Sequence, residues 1–160
     1  MIRAAQFTPP VPERSLSPVN LSIVPAPETA TGFQITSPAP LADLRDKQPH
    51  GPKMFNYEVR GRLNQLPADH EIWLLTEERS GEVRPHGFYA VQFDPQNGEW
   101  LGRIGSSPGQ PIKIVAVVTP PASQDFFKYY QRVGRKTDFE ALIRVPPDCK
   151  NRVSVQARAP

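Results

Sequence analysis

The chain has 160 residues, and its 19 Lys and Arg stand against 16 Asp and Glu, for a net charge of +3. That balance lacks the strongly basic footprint of a dedicated nucleic-acid binder, and the charge argues against nucleic acid as the partner. A single cysteine, Cys149, excludes an internal disulfide and a cysteine metal cluster within one chain, while 20 prolines put part of the chain outside any core.

The beginning, Met1 to Pro10, has no apolar run of the length a secretory signal peptide needs. No segment approaches the roughly 20 apolar residues of a membrane span. These features point to a cytoplasmic protein, or to a piece of a longer chain that carries the targeting signal.

Ten of the 20 prolines fall in residues 1–52. Through residues 1–31 they recur among Ser, Ala, Glu and Thr, so that neither helix nor central strand can propagate. The segment reads as a flexible proline-rich arm, either a solvated spacer or a docking arm whose apolar pieces, Val19 to Val24 and Phe33 to Ile35, lie on another surface as strands. A domain is expected over residues 32–158.

Strands begin with Phe33 to Pro38, which alternates apolar and polar residues. A charged, proline-containing loop is expected from Ala39 to Lys53. In Met54 to Gly61, Phe55, Tyr57 and Val59 share one face while Asn56, Glu58 and Arg60 share the other, the period of a half-buried antiparallel strand. His70 to Thr76 is apolar on both faces at its centre. Phe88 to Phe93 and Glu99 to Ile104 flank Asp94-Pro95-Gln96-Asn97-Gly98, a strong hairpin turn signal. Ile112 to Val118 is the most apolar strand, and shorter strands are expected over Ala141 to Val145 and Arg152 to Gln156. One helix is predicted over residues 123–133, with Phe126, Tyr130 and Val133 on its buried side and Gly134 as its stop. Strands at short spacing with turns between them predict an all-β antiparallel β-sandwich.

The order Ile35-x-Ser37-Pro38, Phe55-x-Tyr57-x-Val59-Arg60-Gly61, Leu66-Pro67, Ile72-Trp73-Leu74-Leu75, Arg84-Pro85, Gly98-x-Trp100 and Ile112-x-Ile114-x-Ala116-Val117 resembles bacterial immunoglobulin-like accessory domains appended to larger proteins. The resemblance covers residues 32–119, and the Cys…Trp…Cys hallmark of antibody-type domains is absent. It implies an immunoglobulin-like sandwich and a non-catalytic spacer or interaction module. The partner is then expected to be a protein or neighbouring domain, with carbohydrate binding as the alternative. The segment from Pro120 onward departs from a plain seven-strand sandwich.

Candidate chemistry is sparse. Cys149 lies in Pro146-Pro147-Asp148-Cys149-Lys150, outside any nucleophile motif, and reads as a structural thiol. His50, His70 and His86 have no compact ligand spacing and read as exposed loop histidines, so neither metal nor cofactor is expected. Glu77 and Glu78 read as a charged hairpin tip. Trp73 and Trp100 are expected in the core, although together they would form a sugar-stacking platform, and a carbohydrate-binding module would use Tyr89, Trp100 or the helix aromatics. The segment Phe126 to Lys136 is the candidate binding surface: Phe127, Lys128, Tyr129, Arg132, Arg135 and Lys136 interleave aromatic and basic side chains. That pattern fits an amphipathic helix capping the core, a protein-binding face, or stacking on bases beside phosphates.

Overall fold

A computed structural model describes residues 32–86, 90–137 and 143–160. The elements are β1 (Gln34–Ser37), β2 (Arg45–Pro49), β3 (Phe55–Arg62), β4 (Glu71–Glu77), β5 (Val83–His86), β6 (Gln92–Asp94), β7 (Glu99–Ser106), β8 (Pro111–Thr119), α1 (Pro121–Thr137) and β9 (Arg152–Arg158). The arm expected over residues 1–31 lies outside the described residues.

The strands form two antiparallel sheets. One runs β1-β3-β7-β6, with β2 also pairing β3, and the other runs β5-β4-β8-β9. The alternation of β3 and β7 explains how the first sheet faces the core. Tyr57 and Val59 of β3 and Trp100 and Ile104 of β7 are buried, whereas Arg60 and Arg62 stand outside. They meet Ile72 and Leu74 of β4 and Ile114, Ala116 and Val118 of β8 in one core between the sheets. Gly61 is needed where it stands, because a side chain there would run into the Trp100 indole and the Gln34 carbonyl.

The predicted hairpin turn forms between β6 and β7. The Gly98 amide donates to the Asp94 carbonyl (2.9 Å), and Gly98 has φ of +70°, a conformation glycine adopts without penalty. At the opposite end, Leu41 to Leu44 leaves the β3 side and runs beside β9. The Leu41 amide donates to the Gln156 carbonyl (2.7 Å) and the Leu44 amide to the Arg158 carbonyl (2.8 Å), with a parallel bridge at Asp43 and Arg158.

Strands β4 and β8 lack alternation because both of their faces are covered. Trp73 and Leu75 of β4 and Val115 and Val117 of β8 point away from the central core. There they form a second cluster with Val83, Phe127 and Cys149 beneath α1. Burying each such large side chain contributes about 2 kcal/mol, so the helix is an energetic requirement of this sheet.

The helix begins at Pro121, where a missing amide costs nothing, and the Pro120 carbonyl accepts from the Ser123 and Gln124 amides (3.0 Å each). It ends with Arg135 and Lys136 in the last turn, where cations complement the helix dipole. The expected stop at Gly134 does not occur: Gly134 is buried and the helix runs on to Thr137. Packing on the sheet outweighs the roughly 1 kcal/mol that glycine costs in a helix.

Two further expectations change. The loop expected over residues 39–53 contains β2, whose Arg45–Pro49 is exposed throughout and pairs with β3. A strand with no buried side chain has no apolar period to reveal it. Of the strand expected over Phe88 to Phe93, residues 88 and 89 lie outside the described residues, Ala90 and Val91 are not in a strand, and Gln92 and Phe93 belong to β6. Of Ala141 to Val145, residues 141 and 142 are likewise outside, and Ile143 forms an isolated antiparallel bridge with Val83.

Candidate functional site

The phase of α1 decides which side chains the protein presents. The buried positions are Ser123, Gln124, Phe127, Tyr130, Gln131 and Gly134, a single stripe at helical spacing. The expectation that Phe126, Tyr130 and Val133 form the buried side is corrected: Tyr130 is buried, but Phe126 is 42% and Val133 38% exposed. Two glutamines account for the difference. The Gln124 side-chain amide donates to the carbonyls of Asp69 (2.6 Å) and Thr119 (3.0 Å), and that of Gln131 donates to the Pro85 carbonyl. Buried and bonded to strand ends, these polar groups occupy positions that an apolar count assigns to solvent.

Phe127 therefore leaves the candidate surface. It is fully buried, with its ring 5.1 Å from that of Trp73. The other five candidates are exposed on one helix. Tyr129 is 57% exposed, and the Arg132 guanidinium lies 5.4 Å from its ring. Lys128 reaches Glu71 of β4 (3.0 Å), a pair half in solvent and of small energetic weight. Arg135 and Lys136 follow in the last turn.

Phe126 and Val133 join this surface, and sequence reasoning missed them. With Tyr129 they stand at i, i+3 and i+7, spanning about 10 Å of helix. Among the described residues, the large exposed apolar side chains are these three together with Leu41 and Met54, which lie elsewhere. At about 100° per residue, Phe126, Tyr129 and Val133 form one shoulder of the exposed face. Lys128, Arg132 and Arg135 form the other, with Lys136 between them. Beside the basic shoulder, Lys128 and Glu71 border a cleft of about 300 Å³ walled by Ile72, Trp73, His86 and Val91.

The remaining candidates are placed as follows. Trp73 and Trp100 are buried, at 8% and 2% exposure, so neither offers a face for stacking a sugar, and Tyr89 lies outside the described residues. A groove of about 720 Å³ over the first sheet is lined by Arg60, Arg62, Asp94 and Glu99, and has no exposed aromatic platform. Glu77 is held by Lys113 (2.6 Å), and Glu78 closes the β4–β5 turn, its amide donating to the Glu82 carbonyl (2.9 Å).

Cys149 is 4% exposed, and burial pushes its thiol up; its polar neighbours are the hydroxyls of Ser123 and Thr119 and the Asp148 carboxylate. Nothing in that set generates a thiolate. His86 is not an exposed loop residue as expected. It ends β5, and the Gly105 amide of β7 donates to Nδ1 (3.3 Å), which leaves the proton on Nε2 to face Thr76 Oγ1 (2.9 Å). Burial, aided by the charge of Arg84, lowers its pKa to about 4. His50 and His70 are half-buried, and the His70 ring lies against the Ala68 carbonyl (2.8 Å). Among the described residues no three His, Cys, Asp or Glu side chains converge as metal ligands, and no helix is long and apolar enough to cross a membrane.

No family model matches this chain, and neither a curated protein nor a solved structure matches it.

Proposed function

We propose that the chain is a non-catalytic, immunoglobulin-like interaction module that holds a protein partner on the outer face of α1. The strand order supports the fold half of this reading. In constant-type immunoglobulin domains, strands A, B, E and D form one sheet and C, F and G the other. Here β1 with β2, β3, β7 and β6 correspond to A, B, E and D, while β4, β8 and β9 correspond to C, F and G, with β5 added beside C. On that correspondence α1 is an insertion in the F–G connection, one of the three loops that carry recognition in variable domains.

The observation that carries the functional half is the exposed row Phe126, Tyr129 and Val133. The same helix buries Phe127 and Tyr130 on its other side, while Phe126 and Tyr129 keep 42% and 57% of their surface in solvent. Aromatic and Arg side chains clustered this way have the composition of interface centres. Buried Cys149 and the hydroxyl and carboxylate groups around it support the non-catalytic reading.

A photoreactive phenylalanine in place of Tyr129, in the full chain expressed in its cell of origin, tests the proposal. A defined cross-linked protein is expected, competed by excess unlabelled chain. The same probe in place of Arg60, on the outer face of the first sheet, is expected to give none. Equal cross-linking from both positions, or none from Tyr129, would overturn it.

A further inference from the structure

We infer that the partner segment seated on α1 is an acidic amphipathic helix, an inference that rests on the interaction-module reading above. The helix presents two parallel rows. Phe126, Tyr129 and Val133 give an apolar row, Lys128, Arg132 and Arg135 give a basic one, and Lys136 lies between them. Asp125 is the single carboxylate on the helix against its four cations. Lys128 is already matched by Glu71, so the positive charge left for a partner centres on Arg132 and Lys136.

A row of apolar side chains at i, i+3 and i+7 on a straight, convex element is matched by the same row on a second helix, with axes about 8–10 Å apart. The neighbouring cations then meet the flank of that second helix. Carboxylates there gain attraction, whereas lysines there are repelled. Arg132 stacked near Tyr129 is held over the boundary between the rows, where one guanidinium contacts an apolar side chain and a carboxylate together. The partner is thus defined by chemistry: an amphipathic helix with Leu or Phe on one stripe and Glu or Asp along one side of it.

Fluorescence anisotropy on the full chain tests this with two labelled helical peptides that share an apolar stripe, one flanked by Glu and one by Lys. The Glu-flanked peptide is expected to bind, and more weakly as salt rises. Each exposed aromatic offers on the order of 100 Å² to a partner, so Phe126→Ser with Tyr129→Ser is expected to weaken binding by more than tenfold. Because a loss can come from misfolding, the decisive variant is Arg132→Glu with Lys136→Glu. It should lose the Glu-flanked peptide about tenfold and gain the Lys-flanked one. Equal binding of both peptides, no exchange of preference in the charge-reversed variant, or preferential binding of oligo-dT or anionic vesicles would overturn the inference. Cross-links from position 129 without peptide binding would remove the acidic helix alone. Absence of both would remove the interaction module as well.

Discussion

Protonation of His86 should loosen the contact between the two sheets. Its neutral ring accepts from the Gly105 amide of one sheet and faces Thr76 in the other, so a proton on Nδ1 would set donor against donor. The folded-state pKa of about 4 lies below the unfolded value of 6.5. The unfolded chain therefore binds the proton first. The contribution to stability is complete above pH 6.5, falls as pH drops, and is exhausted below about 4. For this shift the loss between about pH 7.5 and 5 is about 2 kcal/mol. Ordinary carboxylates titrate below most of that window, which isolates the histidine. Urea unfolding at the two pH values should show the loss in the wild type. In His86→Gln, whose amide offers an acceptor and a donor without titrating, the difference should shrink to a small residue. A wild type equally stable at both values, or an undiminished drop in His86→Gln, would refute the argument.

Two further outcomes follow from the cluster under the helix. Phe127→Ala empties a fully buried site and is expected to cost about 3–5 kcal/mol in chemical denaturation, with changed fluorescence of the Trp73 it touches. A cost below 1 kcal/mol would mean that the helix is not anchored there. Cys149, buried with its thiol pushed up, should react with a thiol reagent only as fast as the domain opens, and at full speed in denaturant. Prompt reaction in the native protein would contradict that burial.

Residues with one role were legible in the sequence. Tyr57 and Val59 alternate with Glu58 and Arg60 because β3 has one core face and one solvent face. The doubly apolar Trp73–Leu75 and Val115–Val117 stretches marked interior strands, and they also implied a cover on the far side of the sheet, which α1 supplies. Residues with compensated roles were hidden. Gln124 and Gln131 are polar yet buried because strand-end carbonyls need their amides, and they turn the helix so that Phe127 goes in and Phe126 comes out. Two adjacent phenylalanines differ by about 100° around a helix, and only the packing partner decides between them. His86, between Pro85 and Gly87, has loop-like neighbours; its enclosure depends on Gly105, nineteen positions away. β2 pairs with β3 through its backbone and places only exposed polar contacts beside it, Asp46 on Arg103 and Lys47 over the Phe55 ring, so no apolar period marks it in the sequence.

The crossing of Leu41 to Leu44 onto β9 bears on self-association through strand addition. A two-sheet protein has open edges, each a template on which another chain can grow. Here that segment occupies the far half of β9, with the Arg158 amide donating to the Ala42 carbonyl (3.0 Å) as well, and exposed Arg152 stands at the half left open. On the opposite side of the sandwich β5 is four residues long and clasped by Ile143, and β6 is three residues long. No long, flat, uncharged template remains among them for fibril growth or edge-to-edge dimers. Strand addition at β5, β6 and β9 is thereby opposed by shortness, by a clasping segment and by charge, three separate devices at three edges.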